Sequence, residues 1–320
     1  MPSRDGAIPR PGREPGPGER VPNGTARSGF ANGATGLWSR SVSAAGGALA
    51  LNRRNLYGYL FSLPLIVLFL AFVVYPLYFV VTQAVEPYTY EVLFSDPVFV
   101  QTVVNTVVYV GVAVNVKMFL ALLLSGLLQA DSRGTRFLSA IFLLPWAIPV
   151  LPGILSIRWM LSSQWGIMNL IVEDLGFGPV HWLASRWMAI GALIVFHIWK
   201  YLPFWTVILL AARRGIPREL YEAASIDGAG GLQRFTSITF PMLKGIYLIC
   251  SLLSMVFTLG DFTNVWLLTG GAPGDSTHVL ATLAYRYTFM MGKIDWGMGV
   301  FATALPVTLL FIFILIRKIR

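Results

Sequence analysis

Residues 213–241 read RRGIPRELYEAASIDGAGGLQRFTSITFP, a polar, charged segment that separates two strongly apolar stretches. Pro217 stands where it can start a helix, and Glu222 follows within its first turns. Gly228 then interrupts the helical pattern, and a second short helical run leads to Pro241, where the next apolar stretch begins. The pattern predicts a helix-turn-helix on a membrane surface. Such an element indicates docking to something outside this chain.

The composition is typical of a membrane protein. Hydrophobic residues make up 56% of the 320 residues and charged residues 12%, which is about half the charged share of a soluble domain. The net charge is +9, and much of it lies in the N-terminal tail and in the loops that flank apolar stretches, because cytoplasmic loops are enriched in Lys and Arg. We therefore expect no nucleic-acid binding. The single cysteine, Cys250, can form neither an intrachain disulfide nor a cysteine metal site and is expected to pack as a small hydrophobic residue.

The first 50 residues differ from the rest of the chain. They contain sixteen Gly or Pro residues and six Arg residues, without apolar periodicity. This composition predicts a disordered cytoplasmic tail over residues 1–50. Residues 51–320 are predicted to form one transmembrane domain, with residues 213–241 as its cytoplasmic loop.

Six apolar stretches follow the tail, and each is long enough to cross a hydrocarbon core, which needs about 20 residues. They are 57–81, 100–128, 137–160, 187–212, 242–269 and 297–316. Lipid offers the backbone no hydrogen-bond partners, so each stretch must be helical. The predicted fold is an all-α integral membrane protein with six transmembrane helices. Several spans contain proline, and Pro145 and Pro149 make the third span the one most expected to bend.

The basic residues predict the orientation, since cytoplasmic loops are enriched in them. One set of loops holds Arg53, Arg54, Arg133, Arg136, Arg213, Arg214, Arg218, Arg234, Lys244, Arg317, Lys318 and Arg320. The opposite set holds Arg186, Arg286 and Lys293. Both termini and the 213–241 segment are therefore predicted to be cytoplasmic. The loops near 161–186 and 270–296 are predicted to lie on the other side of the membrane.

The 213–241 segment resembles the EAA loop of bacterial ABC importer permeases. The matching positions are Glu222-Ala223-Ala224, then Gly228 after three residues, Ile238 after nine more, and Phe240-Pro241 after one more. One position departs from the pattern, because the family usually has Leu where this chain has Phe240. The flanking sequences are similar to those of the carbohydrate branch of these permeases. They read PRELYEAASIDGA, VWLLTGGAPGDST and LAYRYTF. The resemblance runs from about residue 57 to the C-terminus.

The resemblance implies a permease subunit of an ATP-driven importer in the bacterial inner membrane. Its partners would be a homologous second permease, two ATPase subunits, and a periplasmic or lipid-anchored solute-binding protein. The sequence has no GxxxxGK[ST] motif, so ATP and Mg are expected on the ATPase and no cofactor is expected in this chain. The residues expected to dock on the ATPase are Glu222, Ala223, Ala224, Asp227, Gly228, Ile238 and Pro241. The alternative is that they only cap and bend a surface helix-turn-helix.

A polar face in the fifth span is the first candidate for a substrate path. Ser254, Thr258 and Asp261 are spaced four and three apart, which places them on one face of a helix, with Phe257 beside them. Hydroxyl groups of a sugar need hydrogen bonds, and its ring face stacks on aromatic side chains. These positions also resemble those that line the cavity in sugar permeases of the family. Hydrogen bonding between helices of the bundle is an equal alternative.

The fourth span adds Lys200 and Phe204 to the predicted substrate path. Lys200 lies well inside the span, so a polar cavity or pairing with Asp261 is expected there. A structural role is the default for His197 and for Lys117. The three histidines have no metal-ligand spacing, and no nucleophile lies beside a base, so neither a metal site nor a catalytic site is predicted.

The resemblance favours carbohydrate as the transported solute, whether a sugar, an oligosaccharide, a polyol or a glycerol phosphate. An ion-coupled secondary transporter is the first alternative, because Asp261 and Lys200 could serve coupling ions. The absence of an obvious inverted repeat and the elaborate loop around Glu222 count against it. An intramembrane enzyme is the second alternative and would need a catalytic pair facing one cavity.

Overall fold

A computed structural model gives the fold, and it describes residues 53–84, 86–130 and 132–319. The predicted disordered tail, residues 1–50, lies outside the described residues. Throughout the described ranges the regular structure is helical, as predicted. The chain divides into two units, residues 1–66 and 67–320. The helix packing described below belongs to the second unit.

The helices differ widely in length. They are α1 (Arg53–Phe69), α2 (Tyr75–Ala84), α3 (Pro87–Ser95), α4 (Pro97–Leu127), α5 (Arg133–Ala147), α6 (Val150–Met160), α7 (Ile167–Asp174), α8 (Arg186–Arg214), α9 (Arg218–Ile226), α10 (Gly231–Arg234), α11 (Phe240–Leu259), α12 (Phe262–Leu268), α13 (Leu280–Tyr285) and α14 (Ile294–Ile319). Wider π-helical turns occupy Leu70–Val74, Phe235–Thr239 and Arg286–Met290.

Within the described residues, four helical stretches are long and apolar enough to cross a membrane. They are Tyr57–Ala84, Pro97–Leu127, Arg186–Arg214 and Gly231–Leu259. If α5 and α6 are counted together as a single span, they make a fifth, although the two helices meet at a bend of 92°. The sixth predicted stretch, 297–316, lies within α14.

The bend between α5 and α6 confirms the prediction that the third span bends. α5 ends at Ala147, and Ile148 and Pro149 adopt extended backbone before α6 begins at Val150. Proline has no N–H to donate and its ring disfavours helical backbone in the residue before it. Ile148 therefore leaves the helix, and the chain changes direction there.

The core of the bundle lies where α4, α8 and α11 meet. α4 packs most extensively against α8, and α11 packs against both. Tyr109, Met118, Phe196 and Leu209 are buried in this core, and Cys250 is buried with them, as predicted for a small hydrophobic residue. In contrast, residues 67–79 are all exposed, which suits a helix that faces lipid or another subunit.

The fifth predicted span differs from its prediction in one important respect. The helix ends at Leu259, and Asp261 is the N-cap of the separate helix α12, where its carboxylate accepts a hydrogen bond from the Asn264 N–H at 3.2 Å. The prediction that Asp261 continues the helix face of Ser254 and Thr258 is therefore wrong. Gly260 is a poor helix former and Asp is a favoured N-cap residue, so the chain breaks at this point.

The start of the same span also extends further than predicted. Gly231–Leu259 is one continuous helical stretch, so Pro241 lies inside it and not at its beginning. The π-helical turn Phe235–Thr239 directly precedes Phe240 and Pro241. Proline removes one N–H from the helical ladder and crowds the preceding turn, and a wider turn accommodates both effects.

Candidate functional site

A cavity of about 450 Å³ lies among the central helices of the bundle. Its lining residues are Lys117, Trp146, Val150, His197, Tyr201, Phe204, Trp205, Ser254, Phe257, Thr258, Gly260, Asp261, Phe262 and Thr263. Long helices supply one part of this wall, and the two helix breaks supply the other. The break between α5 and α6 contributes Trp146 and Val150, and the break between α11 and α12 contributes the run from Gly260 to Thr263. Both interruptions of the bundle therefore open onto the same space.

Asp261 is held by donors from three helices. Its Oδ2 accepts hydrogen bonds from the Tyr109 hydroxyl at 2.6 Å and from the Asn264 amide at 2.8 Å. His197 Nδ1 lies 3.1 Å from the same oxygen, and the Asp261 side chain is only 8% exposed. A buried carboxylate needs such a set of donors, because an unpaired charge is costly away from water.

Lys117 belongs to the same network through His197. Its Nζ lies 2.8 Å from His197 Nε2. An ammonium group can only donate, so Nε2 is the acceptor and the ring proton is assigned to Nδ1, which donates to Asp261. A chain of hydrogen bonds therefore runs from Lys117 through His197 to Asp261. A structural role was the default expectation for Lys117 and His197, because nothing local in the sequence connects them with Asp261.

Lys200 does not pair with Asp261, and that prediction is wrong. Its ammonium group instead donates to the backbone carbonyls of Pro145, at 2.8 Å, of Trp146, at 3.3 Å, and of Ile148. The last carbonyls of a helix have no partner within the helix, and the break after Ala147 leaves several of them free. Lys200 donates hydrogen bonds to these free carbonyls. It is not among the residues that line the cavity.

Aromatic rings form much of the cavity wall. Trp146 and Phe204 stack with their centroids 5.7 Å apart, and the ring centroid of Trp205 lies 6.5 Å from that of Phe257. Phe257 is 64% exposed, which places it at an open side of the cavity. Flat apolar rings beside polar groups can bind a ligand that has an apolar face and many hydroxyl groups.

The structure brings most of the predicted substrate path together. Ser254, Phe257, Thr258, Asp261 and Phe204 all line the cavity, and Lys200 is the exception. Asp261 reaches it from the break and not from the helix face that the spacing predicted.

The predicted helix-turn-helix is present at the end of α8. α9 follows Pro217, and its last turn closes with hydrogen bonds from Asp227 N to Ala223 O and from Ala229 N to Ala224 O. Gly228 has a φ of 77°, a left-handed conformation that glycine adopts without steric cost.

Two side-chain contacts fix α9 to the helix that follows it. The Tyr221 hydroxyl lies 2.9 Å from Thr239 Oγ1, and Arg234 donates to Ser225 Oγ at 3.1 Å. Tyr221 also packs against the core. The helix-turn-helix is thus braced from within the chain, so a force on α9 can pass into α11.

The predicted docking residues divide into exposed and packed groups. Glu222, Ala223, Asp227, Gly228 and Pro241 are exposed, whereas Ala224 is half-buried and Ile238 packs against the core. Glu222 forms no hydrogen bond or ion pair with any residue in the described ranges, which leaves its carboxylate available.

Two apolar residues at the same turn were not among the predicted docking residues. Ile226 is 88% exposed and Leu232 is 78% exposed, one on each side of Gly228. Their apolar character within an otherwise polar loop was the available signal.

The fold and these two sites together define a class of protein. A helical membrane bundle with a polar, aromatic-lined cavity and a braced surface helix has the architecture of a transport permease. A family model described as "binding-protein-dependent transport system inner membrane component" matches residues 117–319, which is more than half of the chain. The chain belongs to this family.

Individual relatives agree with the family assignment. The chain is 35% identical over 255 residues to the trehalose/maltose transport system permease protein MalF of Thermococcus litoralis, covering 76% of this chain and 85% of that protein. It is 32% identical over 233 residues to the sulfoquinovosyl glycerol transport system permease protein SmoG of Agrobacterium fabrum, covering 72% of this chain and 76% of that protein.

A solved structure agrees with the fold. It is a bacterial ABC transporter involved in the import of the acidic polysaccharide alginate, with a TM-score of 0.75 and 23% identity, covering 84% of this chain and 96% of that chain.

The chain is therefore a multi-pass inner-membrane permease of an ABC importer that depends on a binding protein, and not an enzyme. This assignment decides against the two alternatives, an ion-coupled secondary transporter and an intramembrane enzyme. The chain carries no cofactor of its own. Among the described residues, no group of three or more His, Cys, Asp or Glu side chains could hold a metal ion.

Proposed function

We propose that this permease carries a carbohydrate, a sugar or oligosaccharide, through its central cavity after a binding protein delivers it. The observation that carries the proposal is the composition of the cavity wall, in which Trp146, Phe204 and Phe257 stand beside Ser254 and Thr258. Aromatic faces and hydroxyl groups together suit a polyhydroxylated ring. The substrates for which the two relatives are named, trehalose/maltose and sulfoquinovosyl glycerol, support the same class.

The complete importer, in this proposal, contains a homologous second permease, two ATPase subunits that bind ATP and Mg, and a periplasmic or lipid-anchored solute-binding protein. α9 docks on an ATPase subunit through Glu222, Ala223 and Asp227, with Ile226 and Leu232 as apolar contacts. Closure of the ATPase pair draws α9 inward, and the bracing contact between Tyr221 and Thr239 carries this motion to the helix that lines the cavity. This chain supplies the translocation path and the docking helix α9, and the ATPase subunits hydrolyse ATP.

The test of the docking proposal is a charge reversal at Glu222. We expect Glu222→Lys to insert into the membrane normally but to lose ATP-driven uptake of radiolabelled maltose, trehalose and xylose by tenfold or more, because a new cation replaces the carboxylate at the contact. Less ATPase subunit should then purify with the permease. The measurements are uptake into proteoliposomes that contain the full importer, and the amount of bound ATPase.

Glu173→Lys is the matched control, since Glu173 is an exposed glutamate in α7 and undergoes the same charge change far along the chain from α9. It should bind the ATPase at the wild-type level. Full ATPase binding by Glu222→Lys would contradict the docking proposal. Wild-type uptake that continues without ATP would contradict the proposed importer mechanism.

A further inference from the structure

We propose that Lys117 contacts the transported saccharide, next to Ser254 of the predicted substrate path, and that Asp261 is a positioning residue that acts on Lys117 through His197. The inference rests on the proposed function and adds which groups in the cavity face the sugar. It also assigns the substrate to a class, an uncharged saccharide whose hydroxyl and ring oxygens accept hydrogen bonds from Lys117.

The hydrogen-bonding capacity of Lys117 is only partly used. An ammonium group has three N–H donors, and His197 Nε2, at 2.8 Å, is the one hydrogen-bond acceptor that Nζ has among the described residues. Nζ also lies 5.7 Å from the centre of the Tyr201 ring. Lys117 lines the cavity, so its remaining donors can reach a ligand there.

Ser254 offers a second group with unused capacity. Its hydroxyl is buried and has no hydrogen-bond partner among the described residues. Most buried polar groups in proteins do have a partner, so such a group calls for an explanation. Ser254 lines the same cavity as Lys117, and a sugar hydroxyl would satisfy it. Thr258, one turn further along, already donates to the Ser254 carbonyl at 2.6 Å.

Asp261, in contrast, has its acceptor capacity largely occupied. Oδ2 accepts from Tyr109, Asn264 and His197, and Oδ1 accepts from the Asn264 N–H. A sugar hydroxyl that bound Oδ2 would have to displace one of these donors. The carboxylate instead fixes the tautomer and the orientation of the His197 ring, and the ring in turn holds Lys117 in place.

The charges around the cavity indicate an uncharged substrate. Among the described residues, Lys117 and Asp261 are the only Lys, Arg, Asp or Glu side chains in its lining, and they are linked through His197. The charge of Lys200 is directed to the carbonyls at the helix break and away from the lining. The Asp261 carboxylate would repel an anionic sugar, and this wall has no surplus of positive charge to compensate. A neutral sugar needs only hydrogen bonds from the wall.

The experiment measures ATP-driven uptake by the full importer in proteoliposomes, with radiolabelled maltose, trehalose and xylose as neutral probes and glucuronate as the anionic probe. We expect Lys117→Met to lower the uptake of the neutral probe that the wild type carries best by about tenfold or more, because hydrogen bonds from charged donors are the stronger ones. Lys117→Arg, which retains a charged donor, should stay within about threefold of wild type. Lys117→Gln provides an uncharged donor in case the Met variant does not fold, and it should fall between the two.

A double-mutant cycle tests the positioning role of Asp261. Asp261→Asn should lower uptake by about threefold to tenfold on its own, but should add nothing in the Lys117→Met background, because residues in one network are not additive. Ser254→Ala should lower uptake by about threefold. Its matched control is Ser251→Ala on the same helix, where the Ser251 hydroxyl already donates to the Tyr247 carbonyl at 2.7 Å, and this variant should match wild type.

Several results would overturn the inference. One is wild-type uptake in folded Lys117→Met, and another is a double variant whose loss equals the product of the two single losses. Equal rates for Ser254→Ala and Ser251→Ala would remove Ser254 from the site. Faster wild-type uptake of glucuronate than of any neutral probe would overturn the assignment to uncharged saccharides. A wild-type importer that takes up none of the probes would instead overturn the proposed function, and this inference with it.

Discussion

Gly297 shows how the packing of this bundle depends on single residues. It is buried near the start of α14, against α13 and the wide turn Arg286–Met290. A Cβ at Gly297 would lie 2.8 Å from the carbonyl oxygen of Ala284 and 3.0 Å from Cβ of Thr288. Backbone cannot move away as easily as the end of a flexible side chain. Glycine is therefore required where α14 approaches this turn.

We expect Gly297→Ala to lower the free energy of unfolding by about 1–3 kcal/mol, because an added methyl group in a packed site forces the backbone apart. Gly111→Ala in α4 is the matched control, since a Cβ at Gly111 would have no atom of another described element within 4 Å. Removing glycine from an open helix position should stabilise the protein by about 0.5–1 kcal/mol. Thermal unfolding in detergent measures both, and equal shifts for the two variants would contradict the packing argument.

Among the secondary-structure elements, the two helix breaks shape the cavity more than the long helices do. Each break leaves backbone groups without helical partners, and at each break a side chain binds some of these groups. Lys200 from α8 binds the carbonyls at the end of α5, and Asp261 caps α12. The two breaks therefore place Trp146 and Phe262 in the cavity wall.

We expect Lys200→Met to lower the free energy of unfolding by about 1–3 kcal/mol per carbonyl group left without a donor, and to loosen the bend between α5 and α6. Lys244→Met is the matched control, because Lys244 is an exposed lysine in α11, far along the chain from this bend, and its loss should change stability by less than about 0.5 kcal/mol.

Thermal unfolding gives the stability of both lysine variants. Spin labels on Phe137 and Trp159, which are exposed on α5 and α6, report the bend. An unchanged distance distribution in Lys200→Met would show that the proline alone holds the bend.

At the scale of the whole molecule, the number of spans decides the orientation of the C-terminus. Two termini on the same side of the membrane require an even number of crossings. The described residues contain four suitable helical stretches, or five with the bent pair, so the sixth crossing depends on α14. The basic residues at 317, 318 and 320 favour a cytoplasmic end for this helix. We therefore propose six spans with both termini cytoplasmic.

Reporter fusions test this topology. Green fluorescent protein fused after Arg320 should fluoresce, and alkaline phosphatase at the same place should be inactive, because the first folds in the cytoplasm and the second outside it. The same reporters inserted at Gly178, in the loop predicted to be extracytoplasmic, should give the opposite result and serve as the control. Active phosphatase after Arg320 would mean an odd number of crossings.

The parts of the site that the sequence predicts are those set by residues close together in the chain. The segment from Glu222 to Pro241 was predictable because a helix, a glycine turn and a second helix are set by neighbouring residues. Phe257 and Ser254 were placed in the cavity by their spacing on one helix. Asp261 reached the same cavity by another route, because a local N-cap preference ended the helix before it.

The membrane class, the all-helical architecture, the bend in the third span and the surface helix-turn-helix were predictable from the chain alone, since span length, proline positions and turn residues act over short distances along the chain. The network of Lys117, His197 and Asp261, and the separate contacts of Lys200, became apparent only once the helices were packed together. Lys117 and His197 are 80 residues apart, and His197 and Asp261 are 64 apart. Contacts at such separations depend on which helix faces meet, and that is set by the packing of the whole bundle.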